Sequence, residues 1–154
     1  MQQISGARTL HRLIYCSRQR IAPHDLDHEV GEIIRASIRK NREVNLTGLL
    51  LVHQGYFVQS LEGPAEAVLT TYRRINDDPR HAECKVLSAG PAGAREFGDW
   101  NMCARGMSAA DDAILRTLGQ RETFTPESLS ARAALRLLKT VRGIQSRTQL
   151  RAML

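Results

Sequence analysis

Gln59 stands between Phe57 and Leu61 in the run Gly55-Tyr56-Phe57-Val58-Gln59-Ser60-Leu61-Glu62-Gly63. Strand alternation places Phe57, Gln59 and Leu61 on one face. The preceding run Leu46-Thr47-Gly48-Leu49-Leu50-Leu51-Val52 is almost continuously apolar, so the face is covered. An amide there must find hydrogen-bond partners. It offers one carbonyl acceptor and two N–H donors, which suits it either to satisfying nearby backbone or to joining two polar neighbours. Four further polar residues carry potential chemistry, and each has a plain structural account. Tyr15 in Leu13-Ile14-Tyr15-Cys16 fits an amphipathic core strand. Asn41 fits a helix C-cap, where asparagine tolerates the left-handed conformation. Arg80 and His81 fit a solvated turn, with His81 opening a strand. Ile33 and Ile75 read as core.

These residues must be held by a small set of elements. Arg8 to Ser17 reads as a first strand. Pro23 and Asp25 introduce a helix, with Asp25 as N-cap and Leu26, Val30, Ile33, Ile34, Ser37 and Ile38 along one stripe. Lys40-Asn41-Arg42 ends it, and a hairpin supplies the second and third strands. A helix after Pro64 carries Val68, Leu69, Tyr72 and Ile75 on one face and stops at Asp77-Asp78-Pro79. Lys85-Val86-Leu87-Ser88 is a short fourth strand, followed by a loop at Gly90-Pro91-Ala92-Gly93. Phe97 to Met102 carries a final strand. The fold class is therefore α+β, a ferredoxin-like βαββαββ sheet with two helices on one face. Two helices extend it. Ser108-Ala109-Ala110-Asp111 starts one. Thr125-Pro126-Glu127 caps the other, which Gly143 ends.

Composition narrows the function classes. With 42% hydrophobic residues the chain can build a real core, and no run approaches the roughly 20 apolar residues that span a bilayer. The N-terminus lacks a secretory pattern, which points to the cytoplasm. Cys16, Cys84 and Cys103 show no paired spacing, so they read as small buried hydrophobes rather than disulfide or zinc ligands. The net charge is +6, and all of it falls in residues 115–154, where eight basic residues face two acidic ones. Spread at helical intervals, that excess reads as a solvated face or a surface for an acidic partner.

Six segments in order carry a resemblance. They are Leu13-Ile14-Tyr15-Cys16-Ser17-Arg18, Lys40-Asn41, Leu46-Thr47-Gly48, Phe57 to Gly63, Asp78-Pro79-Arg80-His81 and Phe97-Gly98-Asp99-Trp100-Asn101-Met102. Together they closely resemble the BLUF family of blue-light sensors, over about Leu10 to Met102. The resemblance implies a sensor domain at 9–103, an output or oligomerisation extension at 107–154, and non-covalently bound FAD, with FMN or riboflavin as alternatives. It implies that Tyr15 is the redox-active phenol and that Gln59 lies between it and the flavin. It further implies that Asn41 fixes the polar edge of the ring, that Ile33 and Ile75 sandwich it, and that Arg80 and His81 approach the ribityl or phosphate part. In such a sensor, light draws an electron and a proton from Tyr15. Gln59 ends rotated or tautomerised, and the reversible spectral shift to the red decays in the dark. Trp100 and Met102 would pass the change to the C-terminal helices, because a slip of their strand alters what Gln59 touches.

The resemblance has departures. The stretch between Tyr15 and Asn41, with Pro23-His24, is slightly long, and Ser60 replaces a second tryptophan found in some relatives. The stretch beyond Met102 is too short for a cyclase or phosphodiesterase module, so the chain reads as a stand-alone, non-enzymatic sensor. A separate signalling protein would receive its output. Leu129, Leu137, Leu138 and Val141 pack on the outer face of the sheet or build a homo-oligomer interface. Two other classes compete. A basic nucleic-acid-binding module on the same fold would need stacking aromatics on its sheet, and only 5% of the chain is aromatic. A phosphatase-type enzyme would need an arginine and an amide converging on a phosphate loop, and Arg18 is isolated.

Overall fold

A computed structural model describes the backbone of residues 9–98, 102–105 and 112–153, and side chains within 9–98 and 112–142. Its elements are β1 (Leu10–Gln19), α1 (Leu26–Glu43), β2 (Thr47–His53), β3 (Tyr56–Pro64), α2 (Ala65–Asp77), β4 (His81–Pro91), β5 (Met102–Arg105), α3 (Asp112–Thr117) and α4 (Ala131–Met153). The sheet order is β4-β1-β3-β2-β5. The pairs β1/β3, β1/β4 and β2/β3 are antiparallel, while β5 runs parallel to β2. This is the expected α+β, ferredoxin-like arrangement with a C-terminal helical extension.

Alternation sorts the strands' side chains cleanly. Leu13, Tyr15, Leu50, Val52, Phe57 and Leu61 face α1 and α2, where they form two separate clusters. One anchors α2 through Val68, Tyr72 and Ile75 on Leu13, Tyr15, Leu46 and Leu61. The other anchors α1 through Val30, Ile33 and Ile34 on Leu50, Val52 and Phe57. The opposite residues, Ile14, Cys16, Leu49, Leu51, Tyr56 and Val58, join one continuous cluster with Phe97, Ile114, Leu115, Phe124, Leu129, Ala134, Leu137, Leu138 and Val141. The C-terminal helices therefore pack on the outer face, as their apolar spacing predicts.

Backbone detail fixes the hairpin. Gln54 and Gly55 both have positive φ (45° and 83°), as a tight two-residue turn that follows the strand twist requires. At Gly48 a Cβ would lie 1.9 Å from the Ser60 carbonyl oxygen, so the strand contact itself demands glycine.

Several boundaries differ from the sequence reading. β4 runs from His81 to Pro91, into the first half of the expected loop. It is an edge strand with register shifts against β1, one of which holds Glu83 at φ 52°. Bulges and an edge location accommodate glycine and proline that a central strand would reject. Phe97 and Gly98 are not in a strand, because the Glu96 and Phe97 amides bind the Glu62 carboxylate instead of a ladder. The final strand comes later, at Met102–Arg105. Thr125-Pro126-Glu127 opens a short 3-10 turn, and Ser130 caps α4 by accepting the Ala133 N–H at 3.1 Å. Gly143 does not end α4, which continues to Met153. A lone glycine costs a helix only about 1 kcal/mol, and no proline follows. Asp25 holds the cap position of α1 but its side chain makes no capping bond. The expected helix start at 108–111 lies outside the described residues.

Candidate functional site

The two helix-side clusters do not merge, and a cleft of about 360 Å³ opens between α1 and α2 above β1 and β3. Tyr15, Ile33, Asn41, Gln59, Ile75, Arg80 and His81 all line it. One residue from each helix, Ile33 and Ile75, supplies an apolar wall. The volume falls within the range of small-molecule sites.

Tyr15 and Gln59 are paired across β1 and β3, so their side chains emerge side by side. The Tyr15 hydroxyl donates to Gln59 Oε1 at 2.5 Å. Tyr15 is fully buried. Burial is the main force holding its phenol pKa well above the ordinary value, with Cys84, Tyr72, Asp78 and Cys16 adding smaller contributions. The phenol is thus a protonated donor at neutral pH. With Oε1 engaged, the Gln59 Nε2 group has no partner among the described residues.

Asn41 sits in the last turn of α1 and is buried. Its backbone carbonyl accepts from Val44 and Leu46. The left-handed residue after the helix is Asn45 (φ 59°), not Asn41. The plain C-cap account therefore fails, and the Asn41 side-chain amide is left without a partner among the described residues. Two underused amides at the edge of an apolar slot fit a planar ring bearing carbonyl and N–H groups. The residues present thus fit a flavin.

Arg80 and His81 are held in place rather than solvated. The Arg80 guanidinium donates to both Asp78 carboxylate oxygens and reaches Glu29 at 3.4 Å. Its hydrogen bonds keep the Asp78 carboxyl below the usual carboxylate range. The cation is therefore largely neutralised. His81 Nδ1 lies 2.7 Å from Ser17 Oγ, and its ring packs 4.6 Å from Phe57. Burial pushes the imidazole pKa down to about 4, so it is neutral at pH 7.

Ser37, Lys40, Thr71, Arg74 and Asp77 also line the cleft, and no site role was expected for them from the sequence. Lys40 and Arg74 form no ion pair among the described residues. Each adjoins a residue singled out above, Asn41 and Ile75, and that adjacency was the available signal. Trp100 lies outside the described residues, and Met102 is placed only as the first residue of β5, opposite Leu49. Cys16 is buried and Cys84 half-buried. No group of three or more metal-ligating side chains occurs among the described residues. No helix there is long and apolar enough to cross a membrane.

The family model for BLUF, "Sensors of blue-light using FAD", matches residues 10–103. The chain belongs to the BLUF family. As a BLUF protein it is of the flavin-binding, blue-light-sensing kind. The dark-state structure of the BLUF protein BlrB is 32% identical with a TM-score of 0.69, covering 90% of this chain and 98% of that one. Photo-activated BlsA has a TM-score of 0.78 at 24% identity, a likeness of fold. Among curated relatives, photoactivated adenylate cyclase subunit beta of Euglena longa is 34% identical over 96 residues, 62% of this chain and 11% of that protein. The blue light- and temperature-regulated antirepressor BluF of Escherichia coli (strain K12) is 38% identical over 93 residues, 60% of this chain and 23% of its own length. The chain thus spans roughly a tenth to a quarter of these two curated relatives. The BLUF match covers β1 through the start of β5, and α3 and α4 lie beyond it.

Proposed function

We propose that this BLUF protein senses blue light through FAD held in the cleft between α1 and α2, with the Tyr15–Gln59 pair as its switch. The observation that carries the reading is the 2.5 Å bond from the Tyr15 hydroxyl to Gln59 Oε1 at the floor of that cleft. Ile33 and Ile75 would hold the ring faces, Asn41 and Gln59 its polar edge, and Arg80 and His81 its ribityl or phosphate part. Bound flavin supplies blue-light absorption and a site that accepts an electron.

The chain's own part follows from its geometry. Burial keeps the proton on Tyr15 in the dark, so Gln59 Oε1 is engaged and its N–H groups point elsewhere. Transfer of one electron and the hydroxyl proton out of Tyr15, to the accepting site that bound flavin would supply, would leave a neutral phenoxyl and remove that donor. The amide is then released to turn or change tautomer, which exchanges donor for acceptor on both sides. Return of both the electron and the proton to Tyr15 would meet a different bonding pattern, and that difference is the stored signal.

The output would pass along β5, through Trp100 and Met102, to α3 and α4. It would reach a separate signalling protein in the cytoplasm, with the chain as a homo-oligomer that catalyses nothing itself. That relatives include photoactivated adenylate cyclases and an antirepressor fits a sensor serving varied outputs. FAD is favoured over FMN or riboflavin because the family description names it. Among the described residues, the sheet faces carry packed side chains rather than exposed stacking aromatics, which disfavours the nucleic-acid reading.

A light-minus-dark absorption difference spectrum, with Gln59→Leu as control, tests the proposal. A reversible red shift in the wild type that the variant lacks supports it. A protein that takes up no flavin, or a shift that survives in the variant, overturns it. Chromatography of the released cofactor identifies the flavin.

A further inference from the structure

We infer that Ser17 is a positioning residue that fixes the tautomer of His81 and turns its imidazole into a neutral Nε2–H donor for the cleft. The inference rests on the reading of the cleft as a flavin site, but its first test does not.

Hydrogen-bond accounting decides which nitrogen of His81 carries the proton. Ser17 is buried, and its hydroxyl lies 2.7 Å from His81 Nδ1. No other hydrogen bond of that hydroxyl occurs among the described residues. If Nδ1 carried the proton and donated to Ser17, the serine's own proton would be buried without an acceptor. Leaving a buried donor unmade costs more than a typical bond contributes. If instead Ser17 donates, Nδ1 is the acceptor and both groups are satisfied. The imidazole proton is then on Nε2.

The surroundings enforce this choice. Asp78, the nearby carboxylate, is occupied by the Arg80 guanidinium and backbone N–H, so it is not available to draw out an imidazolium. Phe57 and Tyr15 pack against the ring at 4.6 and 6.1 Å and fix its plane. Nε2 has no partner among the described residues, and His81 lines the cleft. The nitrogen that Ser17 leaves free is therefore the one available to a ligand, and it donates. A neutral donor suits a hydroxyl, carbonyl or phosphate oxygen without adding charge to a site where Arg80 is already neutralised.

Nitrogen-15 NMR of histidine-labelled protein tests this directly, with His81→Gln to assign the signal. The wild type should show the Nε2–H tautomer with or without added FAD. Ser17→Ala should shift His81 toward a tautomer mixture, and Ser17→Thr should restore the wild-type pattern. FAD titration should give about fivefold weaker binding for Ser17→Ala, recovered in Ser17→Thr. An Nδ1–H tautomer or an imidazolium at pH 7 in the wild type would overturn the inference. So would an unchanged tautomer in Ser17→Ala. A wild type that binds no FAD while showing the Nε2–H form would sink the functional reading and leave the tautomer assignment standing.

Discussion

The two faces of one sheet are built to opposite specifications. On the outer face, Ile14, Cys16, Leu49, Leu51 and Val58 meet α3 and α4 in one uninterrupted apolar cluster. Its border is clamped by charge. Glu62 is fully buried and accepts from Arg12 Nε at 2.7 Å and from the Glu96 and Phe97 amides. Arg142 of α4 reaches back to the Glu96 carbonyl and carboxylate and lies over the Phe97 ring. On the helix face, the clusters under α1 and α2 stay apart, and the polar groups between them are only partly satisfied. The outer face is packed throughout, although the buried Ser60 hydroxyl has no partner there among the described residues, whereas the helix face leaves an open cleft. A strand can serve both because alternate residues answer to different neighbours.

Substitutions on the two faces should therefore separate stability from flavin binding. The largest effect is expected for Glu62→Ala, which strands the Arg12 charge and two backbone donors. It should lower unfolding free energy by about 3–5 kcal/mol in urea titrations. A loss below about 1 kcal/mol would mean that the clamp is not what closes the outer face. Leu137→Ala should cost about 2–5 kcal/mol through the cavity it leaves, while the affinity of surviving folded protein for FAD stays unchanged. Weaker FAD binding there would show that the faces are coupled.

Acid sharpens the contrast from the cleft side. His81 titrates near pH 4 when folded and near 6.5 when unfolded, so between these values the unfolded chain binds the extra proton. Stability contributed by the neutral ring is complete above pH 6.5 and is lost as pH falls toward 4. Thermal melts should record this decline, and His81→Gln should flatten it. An equal slope in the variant would assign the acid sensitivity to other groups. The smallest stability change belongs to Gln59→Leu, expected within about 1 kcal/mol of wild type by urea titration even as it abolishes the light response. A large destabilisation would make Gln59 a structural residue first.

What the sequence made legible follows the same division. Period-two alternation in Phe57-Val58-Gln59-Ser60-Leu61 assigns both faces without any tertiary information. Helical spacing likewise put Ile33 and Ile75 on the apolar stripes of their own helices, and only the resemblance implied that they share a slot. Tyr15, Asn41 and Gln59 were recognisable as a set, although their shared cleft depends on strand pairing 44 residues apart in the Tyr15–Gln59 case. Illegible parts depend on long-range partners. Nothing near Glu62 says that its carboxylate will bind the amides of Glu96 and Phe97, so a strand was expected where a clamp stands. The bulges that let β4 run to Pro91 are set by β1. Ser130 caps α4 because Pro126 diverts the chain into a 3-10 turn first, and either serine-threonine cluster satisfies the local rule.

The separation of the helix-side clusters has a further consequence, for how this architecture can drift over generations. Each helix is anchored on its own patch, α1 on β2 and β3, α2 on β1 and β3. The lateral offset between the two patches follows the backbone ladder, whose spacing of about 4.8 Å per strand no side-chain replacement alters. Residues beneath one helix can change without narrowing the slot beside the other. The sheet sets where each helix is anchored, and Ile33 and Ile75 set how much of the gap between them stays open.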